Sequence, residues 1–402
     1  MIDIRGQTAK AGEHSAVEDE AKDIRIGLAL SGGGVRAAAF HAGVLKYLAE
    51  QRHLERVQHI SSVSGGSLFV GLVVSRAGYS WPTSQQYLDH IYEEVRHTLT
   101  TTSLQRNALM KLLFNPMNWR YALSRANVIE KSIRSVWKID LPLRELRSRP
   151  TWSINGTTAE TGRRFRFRDG EFGDYELGYA DSGDFRLSSA LAVSAAFPGG
   201  IGPLSVKTRR FQWKKRKEWN RLAVPEEINL QFKRLHLYDG GVYDNLGLEP
   251  LFDMGKQTFK ENPDAEINRL IVSDAGARLP KAKIPGQLNP LRFKRIADIA
   301  LDQTRALRVR SLSNFLLSNL GAGLYLEMGA DARSRIQRAS SLNSALVPLM
   351  EYEWLNPKMT SAAAALATSL KRMTPEQFDL LARHGYEVTY WNDRLWRTPP
   401  TK

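Results

Sequence analysis

Residues 57–71 read VQHISSVSGGSLFVG, and this stretch restricts the fold more than any other. Val57, Ile60 and Val63 give it the β-branched character of a short buried strand. The strand runs into Ser64-Gly65-Gly66, and a helical run follows from Ser67. A chain that turns from strand to helix this tightly needs glycine, because a Cβ would clash as the turn closes. A serine on that turn stands at a helix N-terminus, beside N–H groups and the positive end of the helix dipole. This is the form of a nucleophile elbow. The usual pattern is G-x-S-x-G, whereas Ser62 holds the first place here and makes it S-x-S-x-G. Ser-Gly-Gly after a strand is also an ordinary turn, so the reading depends on its company.

Two further glycine turns supply that company. Upstream, from Ile24, the strand-like IRIGLAL leads into Ser31-Gly32-Gly33-Gly34. The run VRAAAFHAGVLKYLAEQ then predicts a helix with Phe40, Val44, Leu45 and Leu48 on one face. Strand, glycine loop, helix, strand, elbow, helix is a βαβ opening and predicts an α/β sheet. Downstream, RLHLYDGG predicts a strand entering Asp239-Gly240-Gly241, with Asn245 placed to cap a helix from Leu246. Between these, residues 84–148 read as mainly helical, and residues 151–155 and 164–167 as strands joined by a polar turn. Phe185 to Ala196 reads as a helix ending at Phe197-Pro198-Gly199-Gly200. Residues 269–273 form another strand, and helices are expected over 288–320, 360–371 and 374–385. The first 23 residues are polar and read as a loose tail. One hydrolase domain follows over 24–402, with a helical insertion near 84–148 and a basic, aromatic surface excursion near 207–234.

The glycine loop admits two chemistries. Gly32, Gly34 and Ala37 fit G-x-G-x-x-A, a loose dinucleotide fingerprint, but that site needs an acid at the end of the second strand. The second strand ends at Ser62-Val63-Ser64, without one. The alternative is an oxyanion hole: the amides of Gly32, Gly33 and Gly34 face an anion beside the nucleophile. Arg36 follows and is expected to hold a substrate phosphate. The serine also needs a base. An order of Ser, Asp, His leaves only His384 after Asp239, near an expected helix C-terminus where a histidine is favourable for ordinary reasons. Asp239, ending a strand before two glycines, is the better base, taking the serine proton directly in a Ser–Asp dyad.

Taken together, SGGGVRAAAFHAGVLKYL, SSVSGGS, SSALAVSAAFPGGIGPL and YDGGVYDNLGLEPL resemble the patatin-like phospholipase family in order and spacing. The resemblance extends from about residue 24 to about residue 393, since LKRMTPEQFDLLARHGYEV is similar to the terminal helix of such domains. It implies a three-layer α/β/α sandwich with a mainly parallel central sheet, and a hydrolase of acyl esters. It carries the nucleophile onto Ser64, the base onto Asp239 and the oxyanion hole onto Gly32, Gly33 and Gly34. Arg36, where plant members commonly have lysine, is similar to the cytosolic phospholipase branch and many bacterial members. Ser62 departs from the family's glycine and is expected to tighten the turn. No metal or cofactor is implied.

Charge and composition set the partners. The net charge is +15 and there are no cysteines, which removes thiol chemistry and fits a reducing, cytoplasmic setting. The N-terminal residues have no apolar core, so no signal peptide is expected, and no run reaches the ~18 apolar residues of a membrane span. The expected partners are a phospholipid substrate and, at the periphery, an anionic membrane surface rather than nucleic acid. Phe211, Trp213 and Trp219, set among Arg209, Arg210, Lys214, Lys215, Arg216 and Lys217, have the composition of a headgroup-docking segment. The alternative readings are a catalytically silent lipid- or nucleic-acid-binding module, and a Ser-His-Asp esterase using His384.

Overall fold

The computed structural model describes residues 24–397 apart from 123, 148, 199, 217–223, 278, 280, 287–288, 290 and 342–343. The chain opens as its glycine turns require. Strand β1 (Ile26–Leu30) leads to helix α1 (Gly34–Glu50), and β2 (Val57–Val63) leads to α2 (Gly65–Arg76). A helical region follows, with α3 (Tyr92–Thr101), α4 (Leu104–Phe114) and α5 (Ala126–Ser132). Then come β3 (Thr151–Thr158), β4 (Arg164–Arg168), β5 (Glu171–Asp174) and β6 (Gly178–Asp181). Helix α6 (Leu187–Ser194) precedes β7 (Leu204–Lys207), β8 (Trp213–Lys215), β9 (Glu226–Ile228) and β10 (Arg234–Asp239). A short α7 (Gly241–Asp244) and a small hairpin of β11 (Phe252–Asp253) and β12 (Thr258–Phe259) come before β13 (Arg269–Asp274). The chain ends with α8 (Leu291–Ser318), β14 (Gly323–Glu327), α9 (Ala332–Ser340), α10 (Pro357–Ala365) and α11 (Pro375–Arg397).

Among the described residues, twelve strands make one mixed sheet in the order β14-β13-β1-β2-β3-β4-β5-β6-β8-β9, with β10 on β3 and β7 on β10. From β14 to β3 every pairing is parallel; from β3 onward every pairing is antiparallel. The parallel strands read as unbroken apolar runs because helices cover both faces; β1 and β13 are buried at every position.

Helix α1 shows the depth of that burial. The sequence predicts one apolar face, but the helix is buried almost all round, because α11 crosses its outer side. Glycines permit the approach. A Cβ on Gly43 would lie 1.7 Å from Ala382 O, and one on Gly385 would lie 2.0 Å from Phe40 O. Tyr47 Oη donates to Asp393 at 2.8 Å, and Arg269 donates to the other oxygen of the same carboxylate at 2.8 Å.

In the antiparallel part, β4 alternates Arg164, Phe165, Arg166, Phe167, Arg168, with the two phenylalanines buried. Phe172, Phe185 and Phe211 close around them. Residues 207–234 were expected as a surface excursion, yet they supply β8 and β9, which prolong the sheet from β6. Trp213 is only 3% exposed; it packs edge-on to Phe172 and its indole N–H donates to Thr208 O at 3.0 Å. A tryptophan built into the core in this way is not a headgroup anchor. Trp219 and Lys217, named for the same role, lie outside the described residues, as does the N-terminal tail.

Candidate active site

Register brings the serine and the aspartate together. β4 occupies one edge of β3, so β2 and β10 share the other, running toward each other along it. Val63 pairs with Asn155 and Asp239 pairs with Gly156, the next residue. The two strands therefore meet with their C-terminal ends face to face, and Ser64 steps off one end as Asp239 arrives at the other. The Ser64 side chain lies near enough to the Asp239 carboxyl to pull its pKa downward.

Ser64 holds φ 51° and ψ −117°, a conformation that costs a non-glycine residue of order 1–3 kcal/mol and persists only where its surroundings impose it. The surroundings here are tight. A Cβ on Gly65 would fall 2.1 Å from Gly34 O, and one on Gly66 would fall 2.4 Å from Leu30 O. The Ser64 N–H donates to Ser194 Oγ at 3.0 Å, and its carbonyl accepts from Leu68 N–H at 3.0 Å.

Behind the elbow runs a chain of hydroxyls. Trp152 Nε1 donates to Ser62 Oγ (2.8 Å), Ser62 Oγ contacts Ser67 Oγ (2.9 Å), Ser67 Oγ contacts Ser194 Oγ (2.8 Å), and Ser194 Oγ donates to Asn155 O (2.7 Å). Only one direction satisfies it. Ser194 has one proton and gives it to the carbonyl, so Ser67 donates to Ser194, and Ser62 donates to Ser67. Ser62 thus exchanges the conformational ease of a glycine for a place in a network that holds the backbone of Ser64. Sequence reasoning missed Ser194, Ser67 and Trp152. The available signal was a serine inside the apolar helix segment SALAVSAA.

Asp239 is buried. Its Oδ1 accepts from Gly241 N–H at 2.7 Å, its carbonyl accepts from Thr157 Oγ1 at 2.9 Å, and its own N–H donates to Ala196 O at 3.1 Å. Burial pushes the carboxyl up to about 7, against the downward pull of the Gly241 amide and the Ser64 hydroxyl. A carboxyl titrating there is matched to proton transfer near neutrality.

The glycine loop is more selective than its sequence. The Gly32 N–H donates to Asn245 O at 3.1 Å, so this amide is already engaged. Among the described residues the Gly33 and Gly34 amides have no hydrogen-bond partner, and both residues have positive φ, 147° and 64°. Gly32 lacks a side chain for a separate reason: a Cβ there would meet Asn245 Oδ1 at 2.4 Å and Ser64 Cβ at 3.0 Å. Asn245, expected as a helix cap, instead closes α7 and accepts from Gly32. Asp244 does the capping work, accepting from Leu246 N–H and Glu249 N–H.

Arg36 was expected to reach a substrate phosphate. Its side chain is buried, with Nη1 on Ala364 O (2.8 Å) and Leu366 O (3.0 Å) and Nη2 on Ala275 O (2.8 Å). It pins the segment after α10 against the glycine loop, where Val35 N–H also donates to Ser369 O at 3.0 Å. His384 is likewise displaced from its alternative role. It is buried edge-on to Phe40, its Nε2 accepts from Gly329 N–H at 2.8 Å, and burial holds it down at about 4. It is a neutral structural acceptor, and its partner is not the serine. His41 is held similarly between Ser273 Oγ and Ser31 O. Two clefts, of about 680 and 890 Å³, lie beside Lys207 and Arg234 and include neither Ser64 nor Asp239.

A model of the family described as patatin-like phospholipase matches residues 28–252, more than half of the chain, including the glycine loop, Ser64 and Asp239. The chain belongs to the patatin-like phospholipase family. Among solved structures, human GIVD cytosolic phospholipase A2 aligns with a TM-score of 0.54 at 13% identity, over 94% of this chain and 62% of that one. The patatin-like chain thus spans about three fifths of the human protein's length and shares its mostly parallel α/β fold. VipD from Legionella pneumophila aligns at a TM-score of 0.35 and 14% identity, over 93% of this chain and 66% of that one. No curated protein sequence matches this patatin-like chain.

Proposed function

We propose that this chain hydrolyses acyl esters of phospholipids through a Ser64–Asp239 dyad. The observation that carries the reading is the meeting of two strand ends on adjacent residues of β3, which sets Ser64 beside the buried Asp239 carboxyl, pushed by that burial up to about 7. Asp239 takes the hydroxyl proton as Ser64 Oγ bonds to the acyl carbonyl carbon. The resulting oxyanion accepts hydrogen bonds from the Gly33 and Gly34 amides, each strong donor being worth roughly 3–4 kcal/mol in such chemistry. Collapse breaks the ester C–O bond, and the lysolipid alcohol leaves with the proton from Asp239. Water then gives a proton to Asp239 and attacks the acyl-enzyme. The fatty acid departs and Ser64 recovers its proton.

The phospholipid class is proposed from the family. The dyad alone requires only an acyl ester. A fluorophosphonate should label the chain once, and peptide mapping should put the adduct on Ser64. An adduct on Ser62 or Ser67 would overturn the assignment. Product analysis by mass spectrometry after incubation with a mixed phospholipid extract should find free fatty acid and lysophospholipid from the parent and neither from Ser64→Ala.

A further inference from the structure

Helix α4 and the 3-10 turn that follows it (Pro116–Tyr121) face the wrong way for a water-soluble surface. Of α4, Leu104 and Ala108 are buried. The large side chains of Leu109, Met110, Leu113, Phe114, Met117 and Trp119 all face solvent, with Phe114 at 75%, Met117 at 72% and Trp119 at 61% exposed. Single exposed apolar residues are ordinary; six within eleven residues make a patch that needs a partner.

Charge identifies the partner. Residues 95–129 contain no aspartate or glutamate. They carry Arg106, Lys111, Arg120 and Arg125, and among the described residues none of these four is paired with a carboxylate. Apolar side chains fringed by cations match a leaflet of anionic lipid, with the tryptophan at headgroup depth. A second copy of the chain fits poorly. An isologous contact would set this cationic fringe against its own image with no anion to neutralise it. Among the described residues no helix is long and apolar enough to cross a membrane, and a surface contact does not need one.

The patch is also wired to the site. At the start of α4, Gln105 N–H donates to Leu370 O at 3.1 Å. The preceding residue, Ser369, accepts from Val35 N–H, and its carbonyl lies where a Cβ on Gly34 would be, at 2.4 Å. Two consecutive residues thus join the first turn of α4 to the loop that bears the Gly33 and Gly34 amides. We infer that α4 and its following turn form the seat by which this chain docks on an anionic lipid leaflet, with the 369–370 segment linking that seat to the glycine loop. The inference rests on the hydrolase reading for its purpose, and its test does not.

The test is co-sedimentation of the full chain with phosphatidylcholine vesicles made with and without phosphatidylserine. The parent should bind the anionic vesicles more tightly, and more weakly as salt rises. Leu113→Ser, Phe114→Ser and Trp119→Ser together should lower binding by about tenfold or more, and Lys111→Gln with Arg120→Gln should remove the preference for phosphatidylserine. Both variants should keep the parent's circular dichroism spectrum and melting temperature, which shows that they are folded. Lys214→Gln with Lys215→Gln should bind as the parent does. Binding is read with Ser64→Ala as the background, so loss of the docking idea is separate from loss of the dyad. If the triple variant sediments with anionic vesicles like the parent, the proposal is wrong. It is equally wrong if the parent elutes as a dimer that the triple variant splits, since the face then belongs to a second copy.

Discussion

The two halves of the sheet use the same residue types to opposite ends. From β14 to β3 the strands are parallel, buried on both faces, and deliver their loops to one edge, where Ser64 and the glycine amides gather. From β4 to β9 they are antiparallel, and in Arg164–Arg168 they alternate: the phenylalanines make core, and the half-buried arginines lie on the other face, where Arg164 donates to Asn155 Oδ1. β3 belongs to both halves. It is parallel to β2 and antiparallel to β10 along one edge, and the change of direction falls between Asn155 and Gly156, beside Ser64 and Asp239. The comparison teaches that composition is read through topology. The aromatic residues of the antiparallel half build core, and the exposed apolar side chains lie instead on α4 and the turn after it.

Breaking the parallel half should give the largest effects. Ser64→Ala and Asp239→Ala should each lower ester hydrolysis by at least about a thousandfold. The double variant should be scarcely slower than either single one, because the two act as a unit; additive losses, or a folded single variant with full activity, would remove the dyad. In the other half, Trp213→Ala should cost about 3–5 kcal/mol in urea unfolding, as a large side chain lost from a packed core does. Lys214→Gln on the adjacent exposed position should stay within about 0.5 kcal/mol. Equal, small effects would return residues 207–234 to the status of a free surface loop.

The next effect is one of pH. The carboxyl must be ionised to act as base, so kcat/KM should fall about tenfold per unit below pH 7 and level off above it. Stability should run the other way. An unfolded aspartate titrates near 3.9 and the folded Asp239 near 7, so the folded state loses stability as pH rises through that window and gains none back above it. Asp239→Asn should therefore be more stable than the parent at pH 8, with the advantage gone by about pH 4. A constant difference in melting temperature across that range would show that burial does not raise the carboxyl.

The smallest expected effect lies behind the elbow. Ser62→Gly restores the common G-x-S-x-G pattern but leaves the buried Trp152 N–H without its acceptor, at a cost of roughly 1–3 kcal/mol. Adding Trp152→Phe should recover most of that loss, and a double-mutant cycle without coupling would dissolve the network.

The sequence made legible what depends on local backbone chemistry. Ser64 at a strand-to-helix turn, the glycines beside it and Asp239 before Gly-Gly are each written in a few adjacent residues, and so is the βαβ opening. What stayed hidden depends on distant partners. Arg36 reads as a free cation until Ala275, Ala364 and Leu366 supply the carbonyls. Gly32 reads as a third oxyanion donor until Asn245 takes its amide. Trp213 and Phe211 read as surface until Phe172 and Phe185 close over them. In the helix α1 the pattern suggests one buried face, because nothing in residues 34–50 announces that α11 will cross the other.

The hydroxyl chain behind the elbow has a consequence for proton traffic. A run of serines within hydrogen-bond reach of a nucleophile would ordinarily be suspected of conducting protons toward it. This one is closed at both ends. The indole N–H of Trp152 does not ionise near neutral pH, the carbonyl of Asn155 does not take up a proton, and each hydroxyl between them is already both donor and acceptor. The run is an insulator with the form of a wire. Under the proposed mechanism no proton leaves Asp239 to the rear: the one taken from Ser64 must pass forward to the departing alcohol, and the next must come from the entering water.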